Sequence, residues 1–163
     1  MPILRLPLRR LSSVLVAGGL VAATTACAED PLLVTGRLDF TVSPELTVTA
    51  DFPTPITLVR SPEAINANLA GECTVDTDSF SVIVSRDESS TGLRNFRVSS
   101  DQASVDIGGV TYTGLEESAG CLIAVRTSEP GYGTITFDVD CVLDDGAGHG
   151  VTAVGALAFE GCR

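Results

Sequence analysis

Apolar and polar residues alternate one for one through most of this chain, and that period of two confines it to β structure more firmly than any other feature. Leu38, Phe40 and Val42 share one face of a first segment, Leu46, Val48 and Ala50 share one face of the next, and Ser43-Pro44 marks the turn between them. Pro53-Thr54-Pro55 is expected to end this pair, because proline has no N–H to give to a ladder, and Ile56 to Val59 then form a further short strand. Phe80, Val82 and Val84 alternate again. A polar turn from Arg86 to Gly92 follows, and Phe96 and Val98 lie on one face beyond it.

Two hairpins carry their own register. Gly108-Gly109 suits a two-residue loop with positive φ, which opposes Ile107 to Val110 and Val105 to Tyr112 with all four on one face. Centring a second turn on Gly131, within Glu129-Pro130-Gly131-Tyr132-Gly133, opposes Ile123 to Val139, Val125 to Phe137 and Cys121 to Cys141. Cysteines facing each other across an antiparallel ladder are close enough for a disulfide. By elimination Cys73 then joins Cys162. The sequence alone leaves open the other pairing, Cys73 with Cys121 and Cys141 with Cys162. Zinc is the weaker use of these four cysteines, since no two of them have the close spacing that preorganises a tetrahedral site.

One stretch breaks the alternation. Ser61-Pro62-Glu63 has the form of a helix start, Ile65 and Leu69 are four apart, and Gly71 stands where a helix would stop, so a helix of about two turns is expected from Pro62 to Ala70. A last strand runs from Val151 to Glu160, after an acidic, glycine-rich loop. About nine strands, one short helix, two disulfides and no βαβ alternation define a mainly β fold, an antiparallel β-sandwich or curled sheet with the helix over one end.

The first 26 residues do not belong to that fold. Arg5, Arg9 and Arg10 head an apolar run from Leu11 to Ala23, too short to span a bilayer, which ends in small residues before Cys27. Residues 1–26 are therefore expected to be an export signal. Thr25-Ala26-Cys27 resembles the lipobox of bacterial lipoproteins, in which the signal is cut before a cysteine that is acylated; Thr24 departs from the Leu usual at that place. The expectation is lipidation at Cys27, a tether over residues 27–34 and one β-domain over 35–163, held on the outer face of the cell envelope by its acyl chains. The alternative is cleavage after Ala28, releasing a soluble secreted protein. Either route removes Cys27 from the thiol count and leaves four cysteines for two disulfides, as suits an oxidising compartment.

Charge narrows the partners. Beyond the signal, seven arginines stand against 21 acidic residues, a net charge of −14, which repels nucleic acid and anionic headgroups. The absence of lysine removes Schiff-base chemistry, and the absence of tryptophan leaves little for stacking on bases or sugars. His149, the only histidine, lies among glycines with no evident orienting partner, and there is no G-x-S-x-G elbow. No catalytic residue and no cofactor are assigned. Asp138, Asp140, Asp144 and Asp145 are the weak candidates for a Ca²⁺ site, as hard oxygen ligands near a glycine-rich loop, though their spacing is not that of an EF-hand.

The order Cys73, a strand ending at Val84, Leu93 to Val98, Val105-Asp106-Ile107-Gly108-Gly109-Val110-Thr111-Tyr112, a late strand and the terminal Cys162 resembles the LpqH-type lipoprotein antigens of mycobacteria. The resemblance covers Cys73 to Cys162. It implies a Cys73–Cys162 disulfide and a surface-exposed lipoprotein without established catalysis; the pair Cys121 and Cys141 is additional to the family pattern. The expected function is that of a non-enzymatic envelope lipoprotein that binds a partner through loops or a sheet edge. The alternative is an exported small-ligand or glycan binder. A large apolar cavity lined by Ile65, Leu69 and strand residues would favour the binder, and a filled core the first reading.

Overall fold

The computed structural model describes residues 30–60, 69–86, 92–118 and 120–163. They form β1 (Leu32–Ser43), β2 (Leu46–Arg60), β3 (Leu69–Val75), β4 (Phe80–Arg86), β5 (Leu93–Ser99), β6 (Gln102–Ile107), β7 (Val110–Leu115), β8 (Cys121–Glu129), β9 (Thr134–Asp144) and β10 (Gly150–Glu160), with a single 3₁₀ turn at Pro130–Tyr132. All ten strands belong to one sheet in the order β10-β1-β2-β3-β4-β5-β6-β7-β9-β8, and β10 also pairs with β9, so the sheet curls until it closes. The mainly β, curled-sheet reading with two disulfides is what the chain adopts.

Two narrow seams divide the ring into halves. At one, β2 and β3 run parallel over only Val59 with Ala70 and Arg60 with Gly71. At the other, β7 meets β9 at the single pair Thr113 and Asp144. Apart from β2 with β3, every pairing is antiparallel. Between the halves lies a filled apolar core, built from the alternate residues that the period of two turns inward. Phe40 of β1 meets Phe96 of β5 with ring centroids 6.0 Å apart, and Phe137 of β9 stacks on Phe80 of β4 at 4.9 Å. Aromatic contacts at these separations hold the two halves face to face.

Both hairpins have the expected register. Ile107 faces Val110 and Val105 faces Tyr112, across Gly108 and Gly109 at φ 63° and 82°. The tip reaches past the core, so Val110 is exposed while Val105 and Tyr112 are buried. Cys121 faces Cys141, Ile123 faces Val139 and Val125 faces Phe137. A bulge between Val125 and Thr127 adds one residue to β8, which offsets the four-residue connection and brings the cysteines opposite each other.

Three expectations are corrected. Pro53-Thr54-Pro55 does not end the strand: β2 continues to Arg60, and Ile56 to Val59 belong to it. The ladder to β1 shifts here, since Val34 pairs with Ile56 and Gly36 with Phe52, so the prolines occupy an irregularity where no N–H is required. Positions 62–68 of the helix expected from Pro62 to Ala70 fall outside the described residues, but its last two positions, Leu69 and Ala70, open strand β3. Gly71 is not a helix stop; it sits within β3, where a Cβ would come within 2.5 Å of the Leu58 side chain. Finally, β1 starts at Leu32, inside the stretch assigned to the tether, because Leu32 and Val34 are buried in the core.

Candidate functional site

The four cysteines form Cys73–Cys162, separated by 89 residues, and Cys121–Cys141, separated by 20. The first fastens β3 to the segment after β10, across the β2/β3 seam. The second lies within one ladder. Cys27 is outside the described residues.

The chain's end completes the first seam. Arg163 N–H donates to the Cys73 carbonyl at 3.0 Å and its own carbonyl accepts from Val75 N–H at 2.9 Å, so the last residue lies along the edge of β3. The Arg60 guanidinium donates to the carbonyls of Asp30 and Gly161, tying the start of the domain to its end. Cys162 N–H donates to the Gly133 carbonyl at 2.8 Å, which draws the β8–β9 hairpin tip to the same place. An open groove of about 580 Å³ results, bordered by Asp30, Arg60, Tyr132 and Arg163. Tyr132 is 81% exposed there.

His149 is better oriented than the sequence suggests. Its Nδ1 lies 2.7 Å from the Asp145 carboxylate, which also accepts from the backbone N–H groups of Ala147 at 2.8 Å and His149 at 3.0 Å. The His149 ring, followed by these backbone donors, pulls the Asp145 carboxyl down from its ordinary 3.8 to about 2. The legible signal was an aspartate four residues before the histidine in a loop short enough to fold back on its own amides. The pair is on the surface, with the His149 side chain 76% exposed, and neither residue borders the groove beside the β2/β3 seam.

The four candidate calcium ligands do not converge. Asp138, Asp140 and Asp144 have the same parity on β9, so the outer two are about 20 Å apart along an extended strand. Asp138 pairs with Arg126 across the ladder, Asp144 accepts from the Gly146 amide, and Asp145 is engaged by its loop. Among the described residues no group of three acidic, histidine or cysteine side chains is placed to share a metal ion. On the same outer face Arg37 donates to both oxygens of Asp39 at 3.0 Å and Thr49 to one of them at 2.6 Å. Chiefly the Arg37 bond holds the Asp39 carboxyl below the usual carboxylate range.

The cavity that would mark a small-ligand binder is slight among the described residues. Leu69 does line a recess with Phe52, Val84, Leu93 and Phe96, but its enclosed space is about 10 Å³, room for about one water molecule. Ile65 is outside the described residues.

The last feature is an open strand edge. β8 pairs with β9 on one side and with nothing on the other among the described residues. Gly120 accepts from Val142 N–H at 2.7 Å, so Cys121 and Cys141 form a non-hydrogen-bonded pair, and by alternation the backbone groups of Ile123 and Val125 point away from β9. Leu122 and Val125 are 60% and 47% exposed along this edge. The chain matches no protein-family model, no curated protein and no solved structure.

Proposed function

We propose that this protein is an exported cell-envelope lipoprotein, acylated at Cys27, whose β-domain is displayed on the outer face and acts by non-catalytic contact. The observation that carries the reading is the pair of disulfides, Cys73–Cys162 and Cys121–Cys141, which uses every cysteine after the signal-like leader and leaves Cys27 alone. Such bonds persist in oxidising compartments. The Cys73–Cys162 link also suits the resemblance to LpqH-type antigens. The contact surface is the β8 edge, where an extended segment of another protein adds a strand through backbone hydrogen bonds. Asp140 on the adjoining strand, with the net charge of −14 beyond residue 26, favours a basic segment over an acidic one.

Intact-mass analysis of protein extracted from membranes, beside a Cys27→Ala control, tests the anchor. The expected result is an acylated chain beginning at Cys27, which the control lacks; a soluble chain beginning at Glu29 would overturn it and leave the secreted alternative. Peptide mapping without reductant should return the two disulfides named.

A further inference from the structure

The closed seam lies where the anchor must begin. Cys27 and Asp30 are three residues apart, so no more than roughly 10 Å of backbone separates an acylated Cys27 from the first described residue. Asp30 is itself fixed, because its carbonyl accepts from Arg60 at 3.1 Å. From there an unbroken series of contacts leads to the hairpin tip: Arg60 also holds Gly161, and Cys162 holds Gly133, the neighbour of Tyr132. A rim this firmly joined cannot turn away from a membrane that holds Cys27.

Resting on the lipoprotein reading above, we propose that the rim of Asp30, Arg60, Tyr132 and Arg163 is the face apposed to the bilayer, with Tyr132 in the phospholipid headgroup layer. Tyrosine suits this place, since its ring is apolar and its hydroxyl polar. Arg60 and Arg163 bring guanidinium groups to the depth of the lipid phosphates. Glu129 and Glu160 are exposed close by, so the leash rather than attraction to anionic lipid sets the contact, and zwitterionic lipid suffices. The opposite rim of the same half, the loop after Asp144, then points outward. Ten residue steps of β9 place it more than about 30 Å from the membrane-facing rim.

The chain has no tryptophan, so a single introduced one reports without background. Full-length acylated Tyr132→Trp and Ala147→Trp proteins would be reconstituted into phosphatidylcholine vesicles containing a headgroup spin-labelled lipid. Tyr132→Trp emission should shift to shorter wavelength and lose intensity to the label, while Ala147→Trp emission stays at its value in solution. Solvent-like emission from both, or equal quenching of both, overturns the orientation while leaving the lipoprotein reading intact. A mass showing no acyl chains on Cys27 overturns the lipoprotein reading, and the orientation falls with it.

Discussion

The two seams of the sheet solve the same problem in opposite ways. Each is a place where neighbouring strands nearly part company: two residue pairs join β2 to β3, and one joins β7 to β9. At the first, a disulfide, the C-terminal residue along β3 and the Arg60 guanidinium close the gap. At the second, β8 pairs with β9 and not with β7, its disulfide also goes to β9, and the bulge after Val125 is the device that blunts the edge. The difference teaches that the chain ties one seam across its gap, with a disulfide and hydrogen bonds to backbone groups, and leaves a strand edge exposed at the other.

The largest effect should come from the disulfides. In the chain-entropy picture Cys73–Cys162, closing a loop of 89 residues, contributes about 4–5 kcal/mol, and Cys121–Cys141, closing 20, about 3 kcal/mol. Urea unfolding of the Cys73→Ser/Cys162→Ser and Cys121→Ser/Cys141→Ser proteins should rank in that order. The comparison breaks if the second pair proves the more costly, because the open seam would then be the one under covalent control.

That ranking depends on a pairing whose geometry was already present in the sequence at one hairpin. Alternation and the Gly131-centred turn placed Cys121 opposite Cys141, and the bulge at Arg126 happened to preserve that register. Most of the core was legible for the same reason, since period two records which face each side chain takes. Strand β3 was not. Its start follows Ser61-Pro62-Glu63, a local helix signal, and Ala70-Gly71 carries no β-branched residue; what makes it a strand is β4 along seven residue pairs, a partner distant from any local pattern. Closure of the seam by Arg60 and Arg163 was equally hidden, because a surface arginine in sequence gives no indication that two carbonyls 131 residues apart will meet at its guanidinium. The candidate calcium ligands stand apart for the converse reason. Closeness in sequence means separation in space when the segment is an extended strand.

The next effect sharpens the account of the open edge. Ala124 lies in a hydrogen-bonded pair with Asp138, so Ala124→Pro removes a ladder bond and should cost about 3 kcal/mol. Val125 turns its N–H away from β9, and Val125→Pro should cost less than half of that. Amide exchange in the unaltered protein should alternate correspondingly, slow at Leu122 and Ala124 and fast at Ile123 and Val125. Equal losses, or slow exchange at all four, would mean that another part of the chain occupies the β8 edge.

At the closed seam, Arg60→Ala should cost about 1 kcal/mol, the ordinary net worth of hydrogen bonds at a half-buried site. The loss should show in faster amide exchange around Gly161 and Cys162 while β8 is unchanged. A change spread evenly over both seams would argue that the guanidinium stabilises the domain as a whole rather than this junction.

The smallest effect belongs to acid. Asp144 makes the single pair that holds β7 to β9, and the Asp145–His149 contact braces the loop directly after it. With the Asp145 carboxyl at about 2 in the folded chain against an ordinary 3.8, the folded state binds the proton more weakly than the unfolded one. The brace is therefore fully present above about pH 4 and is lost as the pH falls through 2. Carboxyl NMR should give Asp145 a midpoint near 2, and His149→Ala should raise it toward 3.8. Amides at the Thr113–Asp144 bridge should then gain exchange on acidification before those of Val75 and Arg163 do. An Asp145 midpoint near 3.8 with His149 in place would mean that His149 does not brace the loop beside the Thr113–Asp144 pair.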